Sequence, residues 1–527
     1  MNRRTLFGLL ILAVAAGALA FRLPRLALRP MHTDEAIHAY KCGRLFDSGT
    51  CRYDPHEYHG PTLYYFTLPA LWLSPFHRYA ETNEVVYRVV PVAFGVGLIL
   101  LLLLVGDGFG RPAAVCAGVL TALSPAMVFY SRYYIMEMLL VFFTFAAMAA
   151  GWRYAWSRKI GWALLAGACL GLMHATKETC VLAYLAMALA VLGKLTWRRW
   201  AGYPIRIRPF LNPRHLAAAL LAAGVASGLF FSSFLRNPRG PLDALRAYTT
   251  YVGRAGEIGL HQHPWHYYLK MLLYTQYARG PWWSEGLILI LALFGFASVM
   301  VKRSAPEARA PLVRFVAFYT LFLTAAYAVI PYKTPWCLLG FLHGMILLAG
   351  VGAVVLVERV PTRPAKAAVC IALAIAACNL GAQAYRTNFK FQADRRNPYV
   401  YAHTSSDLLN LVQRVEDIAK VSPDGYDMLI KMVVPEADYW PLPWYLRRFR
   451  QIDYWPEPPA GPGAPMVIAA EGVREAVEAK LGGHYHQDYF GLRPTVLLLA
   501  YTREDLWEAF LKTRAAPPPL AGVAFRK

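Results

Sequence analysis

The stretch VVPVAFGVGLILLLLLV, residues 89–105, contains no charged side chain. A helix needs roughly 17–25 such residues to cross the hydrocarbon core of a bilayer. The rest of the chain is similarly apolar, because 57% of its 527 residues are hydrophobic and 16% are charged. A soluble domain carries about 45–50% apolar and about 25% charged residues. The composition predicts a polytopic membrane protein and excludes a disordered chain, a disulfide scaffold and an ordinary cytosolic enzyme.

Ten further apolar segments are long enough to be interpreted in the same way. The eleven predicted spans are 5–21, 89–105, 112–128, 135–152, 160–174, 179–193, 215–235, 282–301, 312–330, 335–357 and 367–385. The basic start of the chain, Arg3-Arg4, predicts that the N-terminus lies inside. Alternation then places five loops inside with 16 Lys and Arg and three acids, as the positive-inside rule requires: 106–111, 153–159, 194–214, 302–311 and 358–366.

Two shorter apolar segments, 62–76 and 264–277, are predicted to be helices on the outer membrane surface. A span at 62–76 would reverse the sidedness of the basic loops. The N-terminal segment resembles a secretory signal, and we interpret it as an uncleaved anchor because ten more spans follow. Cys42 and Cys51 share the first outer loop, where a disulfide is one of two open alternatives.

The net charge of +22 divides unevenly along the chain. Residues 1–384 carry +21 and residues 385–527 carry +1. The charge pattern therefore predicts two domains: a transmembrane module at 1–385, whose first outer loop is 22–88, and an outer soluble domain at 386–527. The basic residues form no stripe interleaved with stacking aromatic residues, so nucleic acid is not an expected partner.

The tail alternates between helical and strand patterns. Helices are predicted at 405–420, 473–481 and 504–513, and strands at 428–434, 451–454, 465–470 and 495–500. This alternation indicates a small α/β domain with a partly parallel sheet.

Acids, histidines and isolated cations gather at the predicted outer ends of the spans. Ionisable groups at membrane depth are costly and indicate function by default. Each also has a structural alternative. Asp34 and Glu35 could cap a helix, and Arg132 and Glu137 could pair across a helical hairpin. Lys177, Glu178 and Lys333 could lie at the level of the lipid headgroups. The histidines of the first outer loop could bind a divalent ion together with Asp34, Glu35 and Glu57.

Five motifs carry a family resemblance: His32-Thr33-Asp34-Glu35-Ala36, Tyr58-His59-Gly60-Pro61-Thr62, Ser131-Arg132 with Glu137, Thr176-Lys177-Glu178, and Pro331-Tyr332-Lys333-Thr334-Pro335-Trp336. In this order they resemble the GT-C superfamily of polyprenol-phosphate-sugar glycosyltransferases, in the branch of the protein O-mannosyltransferases and the aminoarabinose transferase of lipid A. More narrowly, with Tyr439–Arg447 in the tail, the chain is similar to the flippase-activity-associated protein family.

The resemblance implies an all-α GT-C membrane fold and a single inverting displacement on a polyprenyl-phosphate sugar donor. It implies that Asp34, with Glu35, is catalytic and that Asp34 is the general base for the acceptor hydroxyl. Arg132, Lys177 and Lys333 would bind the donor phosphate. The residues expected to orient these groups or contact the sugar are Glu137, Glu178, His59, His32 and Tyr58. No DxD motif occurs, so we expect no obligatory metal, with a divalent ion as the alternative.

The implied setting is the inner membrane of a prokaryote, with the C-terminal domain outside. Expected partners are the lipid-linked donor, membrane lipids and a hydroxyl acceptor that is a protein, a lipid or a glycan. Three other functions stay open: a lipid-linked-glycan flippase or transport component, a non-catalytic partner in a glycolipid pathway, and a ligase for lipid-linked glycans with an outward site. A transporter would show inverted repeats and broken helices at the bilayer midplane.

Overall fold

The computed structural model describes residues 2–56, 59–204, 212–255, 261–301, 310–459 and 463–514. Two compact units divide the chain. Unit 1 comprises Met1–Leu28, Lys41–Arg78 and Thr82–Tyr401. Unit 2 comprises Arg29–Tyr40, Tyr79–Glu81 and Ala402–Lys527.

Helices dominate the first 389 residues. They are α1 (Arg3–Arg22), α2 (Thr33–Ser48), α3 (Thr62–Trp72), α4 (Glu84–Phe109), α5 (Arg111–Leu123), α6 (Pro125–Ser131), α7 (Glu137–Ser157), α8 (Ile160–His174), α9 (Cys180–Trp200), α10 (Pro213–Phe231), α11 (Gly240–Ala255), α12 (Tyr267–Leu273), α13 (Gly286–Met300), α14 (Ala310–Val329), α15 (Leu339–Arg359) and α16 (Arg363–Phe389).

Each of the eleven predicted spans coincides with helical structure. In the described part of the chain, eight helices are long and apolar enough to cross a membrane, or nine if the bent pair α5 and α6 counts as one span. The remaining two, α8 and α13, have 15 residues each and are about 22 Å long, which is short of a hydrocarbon core of about 30 Å. The membrane-protein fold class is confirmed, and the number eleven stays a prediction.

A single segment predicted at 112–128 is broken at Ser124, where α5 and α6 meet at 62°. Ser124 caps α6, because its side chain accepts a hydrogen bond from the Met127 N–H at 3.3 Å. The buried carboxylate of Glu285 accepts hydrogen bonds from Ser124 Oγ at 2.6 Å and from the Ala126 N–H at 2.8 Å. These bonds satisfy backbone and side-chain donors that the break would otherwise leave buried and unpaired.

The two segments expected on the outer surface form the short helices α3 and α12, each shorter than the apolar pattern suggested. Cys42 and Cys51 are both free thiols, so the structure contains no disulfide between them. Cys42 is buried, and its Sγ contacts the Tyr64 carbonyl at 3.6 Å.

Unit 2 contains a five-stranded mixed sheet in the order β2-β1-β3-β5-β4. Its strands are β1 (Ile430–Val433), β2 (Ile452–Trp455), β3 (Met466–Ala470), β4 (Tyr485–Arg493) and β5 (Val496–Arg503). The strands β2, β1 and β3 are parallel, whereas β5 is antiparallel to both β3 and β4. The helices α17 (Leu408–Val421) and α20 (Glu504–Thr513) pack their apolar faces on the sheet, and α18 (Leu442–Tyr445) and α19 (Arg474–Glu478) are short.

The division into units differs from the predicted boundary at 385/386. Helix α16 continues to Phe389, and the short segment Arg29–Tyr40 joins unit 2. Hydrogen bonds explain the second difference. The Met31 N–H donates to Tyr445 Oη at 2.7 Å, and Thr404 Oγ1 donates to the Met31 carbonyl at 2.7 Å.

Candidate functional site in two parts

The first part of the site is an ion pair in unit 1. Glu137 begins α7, and Lys177 lies in the turn between α8 and α9. Lys177 Nζ donates to Glu137 Oε1, and both side chains are buried. Glu137 therefore pairs with Lys177, rather than with Arg132 as the alternative interpretation proposed.

This ion pair borders a small cavity with a volume of about 30 Å³. The other walls are mainly apolar and come from α7, α9, α14 and the segment 336–340. The lining side chains include Leu140, Phe145, Ala183, Tyr319, Leu323 and Trp336. The cavity thus has a charged end, formed by Glu137 and Lys177, and an apolar wall.

Arg132 has a different environment from the one predicted. Its NH1 donates to the main-chain carbonyls of Arg22 and Pro24, the latter at 2.8 Å, and its NH2 donates to the Arg25 carbonyl at 3.0 Å. Its guanidinium also lies over the Phe389 ring at 4.6 Å. These contacts hold Arg132 at the end of α1, and its contact with the donor phosphate stays a prediction.

Two motifs from different loops meet beside Lys177. Glu178 Oε1 accepts from the His59 N–H at 2.6 Å, and Glu178 Oε2 contacts His59 Nδ1 at 3.0 Å. Burial by itself raises the pKa of the Glu178 carboxyl, but the hydrogen bonds and charge of His59 outweigh it, so that this pKa lies below 4.5. Tyr58, the neighbouring predicted residue, lies outside the described residues.

The same two segments are joined through their backbones. The Gly60 N–H donates to the Thr176 carbonyl at 3.1 Å, and the Thr62 N–H donates to the Ala175 carbonyl at 3.2 Å. A Cβ at Gly60 would lie 2.0 Å from the Ala175 oxygen, so the close approach requires glycine. The loop before α3 and the turn before α9 therefore form one packed element.

Lys333 is buried at a short pairing of two loops. The Lys333 N–H donates to the His261 carbonyl at 2.9 Å, and the His263 N–H donates to the Pro331 carbonyl at 3.1 Å. The side chain donates to the Ile330 carbonyl, and no carboxylate lies within 4 Å of it in the part of the chain that the structure describes. Burial lowers the pKa of Lys333.

Aromatic side chains surround the turn that carries Lys333. The Trp336 ring lies 6.1 Å from that of Tyr133 and 5.9 Å from that of Tyr401. Trp336 also lines the cavity beside Lys177, and Lys333 precedes Trp336 by three residues in the same motif.

A separate group of predicted residues lies in unit 2, at the start of α2. Glu35 is fully buried, and it accepts from the His32 N–H at 3.2 Å and from Arg29 NH2 at 3.4 Å. This is the reciprocal contact of a capping box. Glu35 therefore fixes the helix start, a structural contact for a residue predicted to be catalytic.

Asp34, between the two residues of that cap, has a more exposed side chain. Its side chain is 40% exposed, and its contact with His32 Nδ1 is long at 3.8 Å. The His32 ring in turn packs against that of His403, with centroids 5.0 Å apart. The cap thus holds the backbone of Asp34 while leaving its carboxylate accessible, as a general base requires.

Sequence reasoning did not include Glu285 among the site residues. Glu285 accepts hydrogen bonds at the break between α5 and α6, and its Oε1 also accepts one from Tyr399 Oη at 3.0 Å. The sequence feature that could have identified Glu285 is its position as an acid directly before the apolar segment of α13. In the described residues, no group of three or more His, Cys, Asp or Glu side chains is placed to hold a metal ion.

Comparison with known proteins adds a family match for one part of the chain and a fold for nearly all of it. Residues 61–231 match the family PMT, dolichyl-phosphate-mannose-protein mannosyltransferase. No curated protein matches the sequence. The crystal structure of ArnT from Cupriavidus metallidurans bound to undecaprenyl phosphate superposes with a TM-score of 0.61 at 16% identity, over 93% of this chain and 97% of that chain.

Two further structures are similar. ArnT in the apo state gives a TM-score of 0.60 at 15% identity, covering 95% of this chain and 98% of that one. The oligosaccharyltransferase of Archaeoglobus fulgidus gives 0.49 at 15% identity, covering 92% and 73%. The narrower relation to flippase-activity-associated proteins stays a prediction. The chain therefore has a GT-C-like fold, that of ArnT, and its residues 61–231 match the PMT family.

Proposed function

We propose that the chain is an integral-membrane glycosyltransferase that moves a hexose-type sugar from a polyprenyl-phosphate donor to an acceptor hydroxyl. The transfer takes place on the extracytoplasmic side of the inner membrane. The buried ammonium of Lys333 is the observation that carries this proposal. In the described residues no carboxylate pairs with Lys333, and an uncompensated buried charge costs on the order of several kcal/mol, a penalty that an anionic ligand would reduce. A phosphate group at Lys333 supplies that anion.

The cavity beside Lys177 supports the lipid part of the donor. Its walls are apolar side chains of spanning helices, and its polar end holds the ion pair of Lys177 and Glu137. A polyprenyl chain matches the wall, and a phosphate matches the cation. Arg132 stays with the carbonyl groups of residues 22–25 and supports α1.

In the proposed reaction, Asp34 accepts the proton of the acceptor hydroxyl. The acceptor oxygen forms a bond to the anomeric carbon as the bond from that carbon to the donor phosphate oxygen breaks. The electron pair of the broken bond stays on the phosphate, so no general acid is needed. One displacement from the opposite face inverts the anomeric configuration.

The other predicted residues have supporting roles in this proposal. Glu35 and His32 fix the start of α2 and hence the backbone of Asp34. Glu178 and His59 hold the turn from which Lys177 extends. Glu137 positions the Lys177 ammonium, and no residue is assigned to a metal.

The direct test is turnover by the purified full-length protein. The protein is incubated in nanodiscs with a panel of undecaprenyl-phosphate hexoses and a mixture of glycan, peptide and lipid acceptors. We expect release of undecaprenyl phosphate that depends on the acceptor, and a product of inverted anomeric configuration. Movement of intact donor across the bilayer without release would support the flippase alternative and contradict the proposal.

A further inference from the structure

We propose that a groove between α9 and α14 binds a phospholipid with an anionic headgroup. The groove has a volume of about 530 Å³, which lies within the range of roughly 300–1,000 Å³ that is usual for ligand pockets. It belongs to unit 1, and lipid binding in it does not depend on the transfer reaction proposed above. The apolar side chains that line it include Leu189, Leu192, Trp197 and Trp200 of α9 and Phe318 and Phe322 of α14.

The sequence of α9 explains how the groove forms. Leu189, Gly193, Thr196 and Trp200 recur at intervals of three and four residues, which places them along one face of the helix. Gly193 has no side chain, and a Cβ there would lie only 3.0 Å from the Phe318 ring. The Phe318 ring therefore packs closely over the backbone of Gly193 and forms a wall of the groove.

The groove is about as long as one leaflet of a bilayer is thick. Leu189 and Trp200 are eleven residues apart in α9, which corresponds to about 16 Å along the helix axis. One leaflet is half of a hydrocarbon core of about 30 Å. Leu192 and Trp200, which border the groove, are 58% and 66% exposed. The groove thus opens on the surface of spanning helices, where the acyl chain of a lipid fits it in length and in polarity.

Cations gather at the end of the groove that the positive-inside rule predicts to be inside. Lys194 follows Gly193, and the charges of Arg198 and Arg314 both act on it. The Arg314 guanidinium lies over the Trp197 ring at 3.4 Å, so this cation is held against the wall of the groove. Cations that lie close together repel one another, and a lipid phosphate between them would relieve that repulsion.

These cations have no local counter-ions. In the part of the chain that the structure describes, Lys194, Arg198 and Arg199 have no ion-pair partner. Arg198 donates instead to the Pro204 carbonyl at 2.8 Å. The helices α9 and α14 contain no acidic residue at all. The groove therefore presents an apolar surface that ends in unpaired positive charge.

The other charges at the same predicted end leave the balance positive. In the sequence, the loop 194–214 carries six Lys and Arg and no acid, and the loop 302–311 carries three and one acid. Two further acids end helices that pack against α14. Asp107 of α4 is paired with Arg153 at 2.9 Å, and Glu358 is exposed in the last turn of α15. This balance favours an anionic headgroup over a zwitterionic one.

The test compares two lipids on the purified full chain in a non-ionic detergent. Phosphatidylglycerol and phosphatidylcholine with the same acyl chains are titrated separately, and bound lipid is measured by native mass spectrometry. We expect the parent protein to bind phosphatidylglycerol about fivefold more tightly or better. The double variant Lys194→Gln with Arg198→Gln should lose about tenfold in affinity for phosphatidylglycerol, because two attractive charges are removed. Thr196→Trp should weaken the binding of both lipids, because the indole fills the groove.

The matched control is the double variant Arg363→Gln with Lys366→Gln. It removes two cations at another predicted inner helix end, on α16, and neither residue lines the groove. Its affinity should equal that of the parent protein, and thermal melting should show that all variants are folded.

Three results would overturn the inference: equal affinity of the parent for the two lipids, equal loss in the two double variants, or unchanged binding by Thr196→Trp. A dimer that Thr196→Trp dissociates, without any lipid preference in the parent, would also overturn it and assign the groove to a second copy of the chain. None of these measurements involves transfer, so a failure of the proposed reaction would be seen separately in the turnover assay.

Discussion

The carboxylate of Glu178 accepts a hydrogen bond from the main chain of His59 at 2.6 Å and contacts the ring of the same residue at 3.0 Å. His59 has φ of 101°, a left-handed conformation that costs of order 1–3 kcal/mol for a residue with a side chain. The interaction with Glu178 helps to hold that conformation and joins two loops that are 119 residues apart in sequence.

Glu178→Gln should therefore destabilise unit 1. A hydrogen bond to a charged group contributes about 1.5–3 kcal/mol, and the amide cannot accept in the same way on both sides. We expect a lower midpoint of thermal unfolding and reduced transfer. Glu358→Gln is a suitable control, because this glutamate is exposed in the last turn of α15, in a predicted inner loop. An unchanged midpoint for Glu178→Gln would contradict this account of the loop pairing.

The lowered pKa of Glu178 also predicts a pH dependence. A carboxyl whose folded pKa is depressed stabilises the protein fully above its unfolded pKa, and this contribution is lost as the pH falls through the folded pKa. The stability of the parent protein should therefore fall below about pH 4.5, towards the lower folded value. Glu178→Gln should show a smaller loss over the same interval. Melting curves of both proteins between pH 3 and 6 (roughly the range that brackets an unperturbed carboxyl) would measure the difference.

Gly60→Ala tests the backbone pairing of the same two loops. The new Cβ would lie 2.0 Å from the Ala175 oxygen, so the backbone must shift. We expect a loss of about 1–3 kcal/mol in unfolding free energy, as for other overpacked sites. Gly161→Ala is the control, since a Cβ there meets nothing within 4 Å. Equal stability of the two variants would show that the loops are not in contact as described.

The buried ion pair predicts non-additive effects. Removing one partner from a buried pair costs about 3–5 kcal/mol because the other charge is left uncompensated. Glu137→Gln and Lys177→Met should each be strongly destabilising, and the double variant should lose less than the sum of the two. Additive losses in a double-mutant cycle would mean that the two side chains do not interact.

Lys333 predicts an effect on donor binding. Lys333→Gln removes the positive charge and should raise the KM for a polyprenyl-phosphate donor about tenfold, which corresponds to ~1.4 kcal/mol. Lys333→Arg should retain more activity, because its charge is kept. Lys270→Gln, at an exposed lysine of α12, is the control and should leave the KM unchanged. A KM in Lys333→Gln equal to that of the parent would rule out the phosphate contact.

The sequence predicted those features that follow from local pattern. Long apolar runs define spans such as α4 and α15, and the amphipathic period of residues 405–420 predicted α17. The strand β4 was missed because its sequence, YHQDYFGLR, is largely polar, and it becomes a strand by pairing with β5. The break at Ser124 was missed because it depends on a carboxylate 161 residues away.

The sequence predicted which residues belong to the candidate site better than it predicted which of them contact one another. The family resemblance implied that His59, Lys177 and Glu178 have a role, and the structure joins the two loops that carry them. The sequence could not indicate that Glu137 pairs with Lys177. Nor could it indicate that Arg132 donates hydrogen bonds to carbonyl groups of residues 22–25. Those partners are distant in sequence and are chosen by helix packing.

The central claim is that Asp34 is the base of a transfer from a lipid-phosphate sugar. The most direct measurement compares the parent protein with Asp34→Asn for acceptor-dependent release of polyprenyl phosphate, with donor binding and thermal stability measured on the same preparations. The account predicts that Asn, which cannot take the proton, abolishes release while donor binding and stability stay near those of the parent. Release by Asp34→Asn at a rate close to that of the parent would contradict it.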